Sequence, residues 1–245
     1  IDKYIDENLS MALGAGEVSL LNLTNAYAMI ANSGKKIEPS FIDTIQDRKG
    51  KIIYKHEKRK CVDCIVEDHL NAVIPKIVDN SKQIIDPIIA YQMVSMLEGV
   101  VSRGTGRKIN SLDRPLAGKT GTTNNSKDAW FIGFSPTIVV GVYVGFDKPK
   151  SLGRKETGSS VAVPIFKKYM SKILSNKPKI PFRVASGVSF VKINPKTGLP
   201  TTDDNGIIEV FKEGNEPFKR FILDDKTNII ENNNSYSGAG GLLFN

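Results

Sequence analysis

Little in this chain supports metal or redox chemistry. Its 245 residues include two cysteines, two histidines and one tryptophan. The cysteines stand as Cys61-x-x-Cys64, with His56 and His69 each five residues outside the nearer one. Four ligands in that order could hold one tetrahedral zinc, although the intervals match none of the usual structural zinc patterns. A local disulfide, which an exported protein favours, and a pair of free thiols are the other two readings. None of the three touches the chemistry argued below, for which no metal and no cofactor is expected.

Long apolar runs are missing as well. The uncharged stretch from Phe131 to Phe146 falls short of the ~20 residues a membrane-spanning helix needs, and Pro136 interrupts it where two strands would turn. The opening, Ile1-Asp2-Lys3, is charged and does not read as a signal peptide. No glycine-rich nucleotide loop follows a strand; Gly104 and Gly106 read as a helix stop followed by a turn. There are no internal repeats. The net charge of +8 and pI near 9.3 would suit a nucleic-acid partner if arginines were clustered, but the basic residues are 26 lysines and 8 arginines, scattered along the chain. They describe a solvated surface, and no nucleic acid is expected.

What is present is a globular chain, 40% hydrophobic, of mixed elements. Leu20, Leu23, Tyr27 and Ile30 fall on one helical stripe that Gly34 ends. Short runs on either side of Asp47-Arg48-Lys49-Gly50 read as a β-hairpin between Ile37 and Tyr54, within a lysine-rich excursion over about 35–85. Asp86-Pro87 caps and starts a helix, with Ile89, Met93, Leu97 and Val100 expected on its packed face and Arg103-Gly104 at its end. Runs at 116–122, 129–134 and 138–146, joined by short loops, predict an antiparallel meander, which a helix over 160–174 would cover. The fold class is therefore α+β, an antiparallel sheet flanked by helices. Residues 1–174 are expected to form the main unit, 175–223 a linker and extended segment through Gly187 to Phe211, and the polar, glycine-rich 224–245 a disordered tail.

The first of the three strands carries the chemistry. Leu116-Ala117-Gly118-Lys119-Thr120-Gly121-Thr122-Thr123 places a lysine, expected to be buried, among hydroxyls and small residues. Lysine supplies a fixed positive charge, threonine hydroxyls donate to a carboxylate, and glycine admits a peptide backbone at close range. Strand alternation puts Lys119 and Thr120 on opposite faces, so a cleft that uses both must run along the strand's edge. The tripeptide Lys-Thr-Gly alone is weakly specific. Its context is not: Asp86 to Pro136, Met11 to Pro39, Val142 to Asp147 and Gly187 to Leu199 together resemble, in order, the class A high-molecular-mass penicillin-binding proteins around their third motif.

That resemblance implies a penicillin-binding-protein/serine β-lactamase-like transpeptidase fold, incomplete at the N-terminus. It implies peptidoglycan cross-linking by acyl transfer through a serine, with stem peptides and β-lactams as ligands. Lys119 and Thr122 would be catalytic; Thr120, Gly121, Thr122 and Thr123 would bind substrate, the Thr122 N–H serving the oxyanion hole. Asn124, Asn125 and Thr123 form a polar loop beside the cleft, and Trp130 reads as sheet packing. The family's Ser-x-x-Lys and Ser-x-Asn motifs are the departure. Ser33 to Lys36 fits the first but ends a helix where Gly34 stops it, and no Ser-x-Asn occurs. The chain is thus expected to be the C-terminal part of a longer enzyme whose upstream part supplies the nucleophile, a glycosyltransferase domain and an anchor at the periplasmic face of the bacterial inner membrane. A serine β-lactamase-like hydrolase and a non-catalytic remnant of a split gene are the alternatives. Alone, the fragment is expected to be inactive and marginally stable.

Overall fold

The computed structural model describes residues 9–14, 16–57, 59–62, 76–218, 221–223 and 229–231. After a short helical turn at Leu9–Leu13, helix α1 spans Leu20–Ala31. Ser19 starts it by accepting from the Asn22 N–H at 3.2 Å. It ends as expected before Gly34: the Gly34 N–H reaches the Met29 carbonyl and the Ser33 N–H reaches Ile30, a Schellman closure. Gly34 has φ +79°, and a Cβ there would lie 2.2 Å from the Ile85 carbonyl oxygen. Glycine is required twice over, by the left-handed backbone and by the chain crossing it.

The excursion that follows holds two two-stranded ribbons. Strands β1 (Thr44–Gln46) and β2 (Ile52–Lys55) form the hairpin expected around Asp47–Gly50. The Asp47 carboxylate accepts from the Lys49 and Lys51 N–H groups, so the turn carries its own scaffold. Strands β3 (Lys60–Val62) and β4 (Lys76–Val78) pair antiparallel. Cys61 is disulfide-bonded, which removes its sulfur from the zinc alternative; Cys64 and His69 lie outside the described residues.

Helix α2 (Pro87–Ser102) starts at the expected cap, the Asp86 carboxylate accepting from the Ile88 N–H at 2.7 Å. Its packed face differs from the expected one. Ala90, Val94, Leu97, Val100 and Val101 are buried, whereas Ile89 is 54% exposed. Ala117 and Phe134 of the sheet, with Phe182 from the segment after the last helix, gather against Val94 and Leu97 and set the rotation of α2. Strands β5 (Ala117–Thr122), β6 (Ala129–Phe134) and β7 (Val139–Val144) form the antiparallel meander, in the order β5-β6-β7 and without bulges.

A π turn at Gly158–Ala162, closed by the Val163 N–H on the Gly158 carbonyl, leads into helix α3 (Val163–Leu174). The sheet lies between helices. On one face Phe131 meets Phe166 edge to face at 4.9 Å, and Val163 and Met170 complete a solvent-free cluster. On the other face, Phe134 packs with Tyr27 of α1 and with Phe182. Burial of this kind contributes roughly 1.5–3 kcal/mol per large side chain. Arg114 donates to the Leu174 carbonyl at 2.7 Å and fastens the end of α3 to the segment leading into β5.

Strands β8 (Val188–Ile193) and β9 (Ile207–Lys212) pair as a hairpin inside the stretch expected to be extended. It docks on α2: Phe190 meets Tyr91 edge to face, Gln92 donates to the Val210 carbonyl, and Arg103 pairs with Glu209. Most of 224–245, the expected tail, lies outside the described residues, but β11 (Ile229–Glu231) pairs antiparallel with β10 (Phe221–Leu223). Among the described residues no helix is long and apolar enough to cross a membrane.

Candidate active site

The strand singled out from sequence is the edge of its sheet. Among the described residues β5 pairs with β6 on one side only, so its outer edge has no strand partner there. The register places Thr120 and Thr122 opposite Phe131 and Ala129, on the face that carries α3. Lys119 and Gly121 stand opposite Ile132 and Trp130 and belong to the other face. The alternation noted from sequence is therefore real, and only an edge-on ligand meets lysine and hydroxyls together.

The expectation of a buried lysine is corrected: Lys119 is exposed. Ala117 and Gly118, one turn of the pleat earlier, are buried under the sheet's neighbours, and the lysine stands just where that cover ends. Its Nζ donates to the Thr120 carbonyl at 3.0 Å and has no carboxylate partner among the described residues. An exposed ammonium beside an open strand edge stands where it can meet an anion.

The threonine hydroxyls are held by backbone and side chains from two other segments. Thr105, in the loop after α2, lies 2.8 Å from Thr120, Oγ1 to Oγ1. The Gly158 N–H donates to Thr122 Oγ1 at 3.1 Å. The loop and the π turn are joined in turn, because the Ser159 hydroxyl donates to the Thr105 carbonyl at 2.8 Å and Lys108 reaches the Ser159 carbonyl at 3.3 Å. Gly158 lies so close to the strands that a Cβ would stand 2.4 Å from the Trp130 carbonyl oxygen and 2.7 Å from that of Gly121. Thr157 and Ser160 close the start of this turn in a reciprocal capping box.

Thr123 is placed differently from its two neighbours. Its hydroxyl accepts from the Asp128 N–H at 2.8 Å and donates to the Asp128 carboxylate at 3.3 Å, within the turn between β5 and β6. Both its proton and one lone pair serve the turn, so the substrate role expected of Thr123 meets a competing structural one. Trp130 lies against Tyr143 at 4.7 Å, and Tyr143 donates to Asp128, which fits the packing role expected for the tryptophan.

Ser33 and Lys36 do not form a nucleophile pair. Ser33 has φ +56° and occupies the helix-ending position of α1. A second Ser-x-x-Lys, Ser189 to Lys192, escaped the sequence reading. It lies on β8, where residues three apart face opposite sides, and the Ser189 hydroxyl donates to Glu216. Sequence reading also missed Thr105 and Gly158; the Gly-Thr-Gly at 104–106 was the only sign of the first.

An antiparallel sheet between helices, with a Lys-Thr-Gly strand at its open edge, is the arrangement of acyl-serine transpeptidases and their penicillin-hydrolysing relatives. Residues 1–171 match the family described as the penicillin binding protein transpeptidase domain, and the chain belongs to that family. It is 44% identical over 228 residues to penicillin-binding protein 1A of Rickettsia bellii (strain RML369-C), covering 92% of this chain and 28% of the relative. It is 41% identical over 184 residues to penicillin-binding protein 1A of Neisseria lactamica, covering 74% of this chain and 21% of that protein. The crystal structure of penicillin-binding protein 1A from Haemophilus influenzae matches at TM-score 0.71 and 31% identity, over 87% of this chain and 34% of that one. The fold is thus that of the transpeptidase region of class A penicillin-binding proteins. The chain spans less than a third of the length of the Rickettsia and Neisseria relatives.

Proposed function

We propose that this chain forms the Lys-Thr-Gly wall of a peptidoglycan D,D-transpeptidase, completed by a serine from sequence upstream of it. The observation that carries the reading is a strand edge, without a strand partner among the described residues, that presents the Lys119 ammonium and the hydroxyls of Thr120 and Thr122. A stem peptide ending in D-alanyl-D-alanine would lie along β5 as an added strand, its carboxylate accepting from Thr120 and Thr122 beside the charge of Lys119. The serine oxygen attacks the penultimate carbonyl and loses its proton. The carbon–nitrogen bond breaks, and the proton leaves on the amine of D-alanine. An amine of a neighbouring strand then takes the acyl group and returns a proton to the serine.

The Thr122 N–H serves as one oxyanion donor, and removal of such a donor costs on the order of 10²-fold in rate. Lys119 also orients the hydroxyl of the Ser-x-Asn motif in this reading. β-Lactams enter as substrate mimics through the same carboxylate contacts. The whole protein would work at the periplasmic face of the bacterial inner membrane. The test is gel labelling with a fluorescent penicillin, comparing this chain with one extended by its upstream sequence. Labelling of the extended chain alone, lost on Lys119→Ala, supports the reading. Labelling of the short chain itself, or of the extended Lys119→Ala variant at full rate, would overturn it.

A further inference from the structure

We propose that Thr105 is a positioning residue of this site, fixing the Thr120 hydroxyl so that its proton faces the substrate carboxylate; the inference rests on the reading above. Thr105 contributes nothing to a core. Its side chain is exposed, and its hydroxyl approaches Thr120 at 2.8 Å. The loop that carries it is nonetheless tightly held. The Gly104 and Gly106 N–H groups both reach the Val100 carbonyl, at 3.2 and 3.0 Å. Arg103, where the loop begins, pairs with Glu209 of the docked C-terminal hairpin, and Ser159 donates to the Thr105 carbonyl. A surface threonine fixed by a salt bridge, two glycine amides and a serine, all to bring one hydroxyl to another, has a directional role.

The chemistry supplies that role. A hydroxyl has one proton and two lone pairs. With the cleft empty, either of the two threonines can be the donor. Once a carboxylate arrives, Thr120 must spend its proton on it, and the Thr120 oxygen then accepts from Thr105. The resulting chain, Thr105 to Thr120 to carboxylate, runs in one direction and each bond polarises the next. Thr122 needs no such partner, because the Gly158 N–H can only donate and already leaves the Thr122 proton free. The two carboxylate-facing hydroxyls are thus set by different devices, a backbone amide for one and Thr105 for the other. Without Thr105, the Thr120 side chain regains its alternative χ1 states.

Two measurements test this. The first uses the upstream-extended protein with isotope-labelled threonine methyls and reads Thr120 χ1 from three-bond couplings. A single rotamer in the parent, averaging in Thr105→Val and recovery in Thr105→Ser are expected; a single rotamer retained in Thr105→Val overturns the proposal, whether or not any form of the protein binds penicillin. The second compares acylation of the upstream-extended protein by benzylpenicillin and by its methyl ester. Thr105→Val should slow the free acid by up to about tenfold, the upper end of what one hydroxyl–hydroxyl hydrogen bond contributes, while changing the ester less than about twofold. Equal loss on both, or no loss on the acid, would refute it. Failure of the unsubstituted extended protein to be acylated would count against the transpeptidase reading instead, and the coupling measurement would still decide the role of Thr105.

Discussion

Two stretches of this chain use apolar residues in opposite ways. In the meander and its helices, Phe131, Phe134, Phe166, Val163 and Met170 are fully buried. In the excursion between α1 and α2, Phe41 is 92% exposed, Ile53 63% and Ile77 60%, and every residue of β1 and β2 faces solvent. The excursion is attached by backbone and polar contacts instead. The Lys36 N–H reaches the Lys82 carbonyl, the Ile84 and Ile85 N–H groups share the Gly34 carbonyl, and Lys35 pairs with Asp79 at 2.5 Å. One region is defined by what it excludes from water, the other by turn chemistry and a few hydrogen bonds. The candidate site belongs to the first, since β5 can hold its edge open only because its inner faces are packed.

The sharpest break of this contrast is Phe166→Ala. Phe166 is the ring against which Phe131 packs beneath the Thr120 face, and it has no contact with solvent. Its loss should cost roughly 3–5 kcal/mol in denaturant unfolding. Phe41→Ala, which removes as large a ring from the excursion, should change stability by less than about 0.5 kcal/mol. Comparable losses for the two would show that the excursion has a core of its own. Gly158→Ala comes next. Its Cβ would meet two carbonyl oxygens of the sheet rather than a movable side chain. A loss of about 1–3 kcal/mol is expected, together with weaker penicillin labelling of the extended protein, because the N–H that orders Thr122 must shift. Full labelling in a destabilised Gly158→Ala protein would separate packing from positioning.

These contrasts also explain what could be read beforehand. The cap at Asp86, the Asp47–Gly50 hairpin, the helix end at Gly34 and the meander all depend on residues a few positions apart, and each stands where the sequence placed it. The rotation of α2 did not follow from its own periodicity, because Ala117 and Phe134, far along the chain, decide which side is buried. The lysine was legible as chemistry but not as exposed, since exposure depends on the strand being an edge. Thr105 and Gly158 act through contacts 15 and 36 residues away in sequence, beyond any local pattern. The docking of the β8–β9 hairpin on α2 was equally invisible, as it rests on Tyr91, Gln92 and Arg103 meeting partners about a hundred residues on.

The smallest expected effect turns on the same contrast read through pH. Glu98 of α2, in the packed region, has its carboxyl pushed above the ordinary range by burial. Asp79, in the excursion, is held well below it by hydrogen bonds from Lys35 and Ser81. The signs are opposite. For Glu98 the folded state holds its proton more tightly than the unfolded chain does, so its contribution is present below the unfolded value and is lost as pH rises through the folded one. For Asp79 the contribution is present above the unfolded value and is lost as pH falls through the folded one. Glu98→Gln should therefore raise the melting temperature slightly at pH 7, by an increment that shrinks toward pH 4 as the native carboxyl takes up its proton. Asp79→Asn should instead leave the main transition unchanged and, at neutral pH, speed amide exchange only around Gly34, Lys36 and Ile84, where the excursion joins the body. An Asp79→Asn effect spread across β5 to β7 would mean that the two regions unfold as one unit, and the contrast would then be one of packing alone and not of cooperativity.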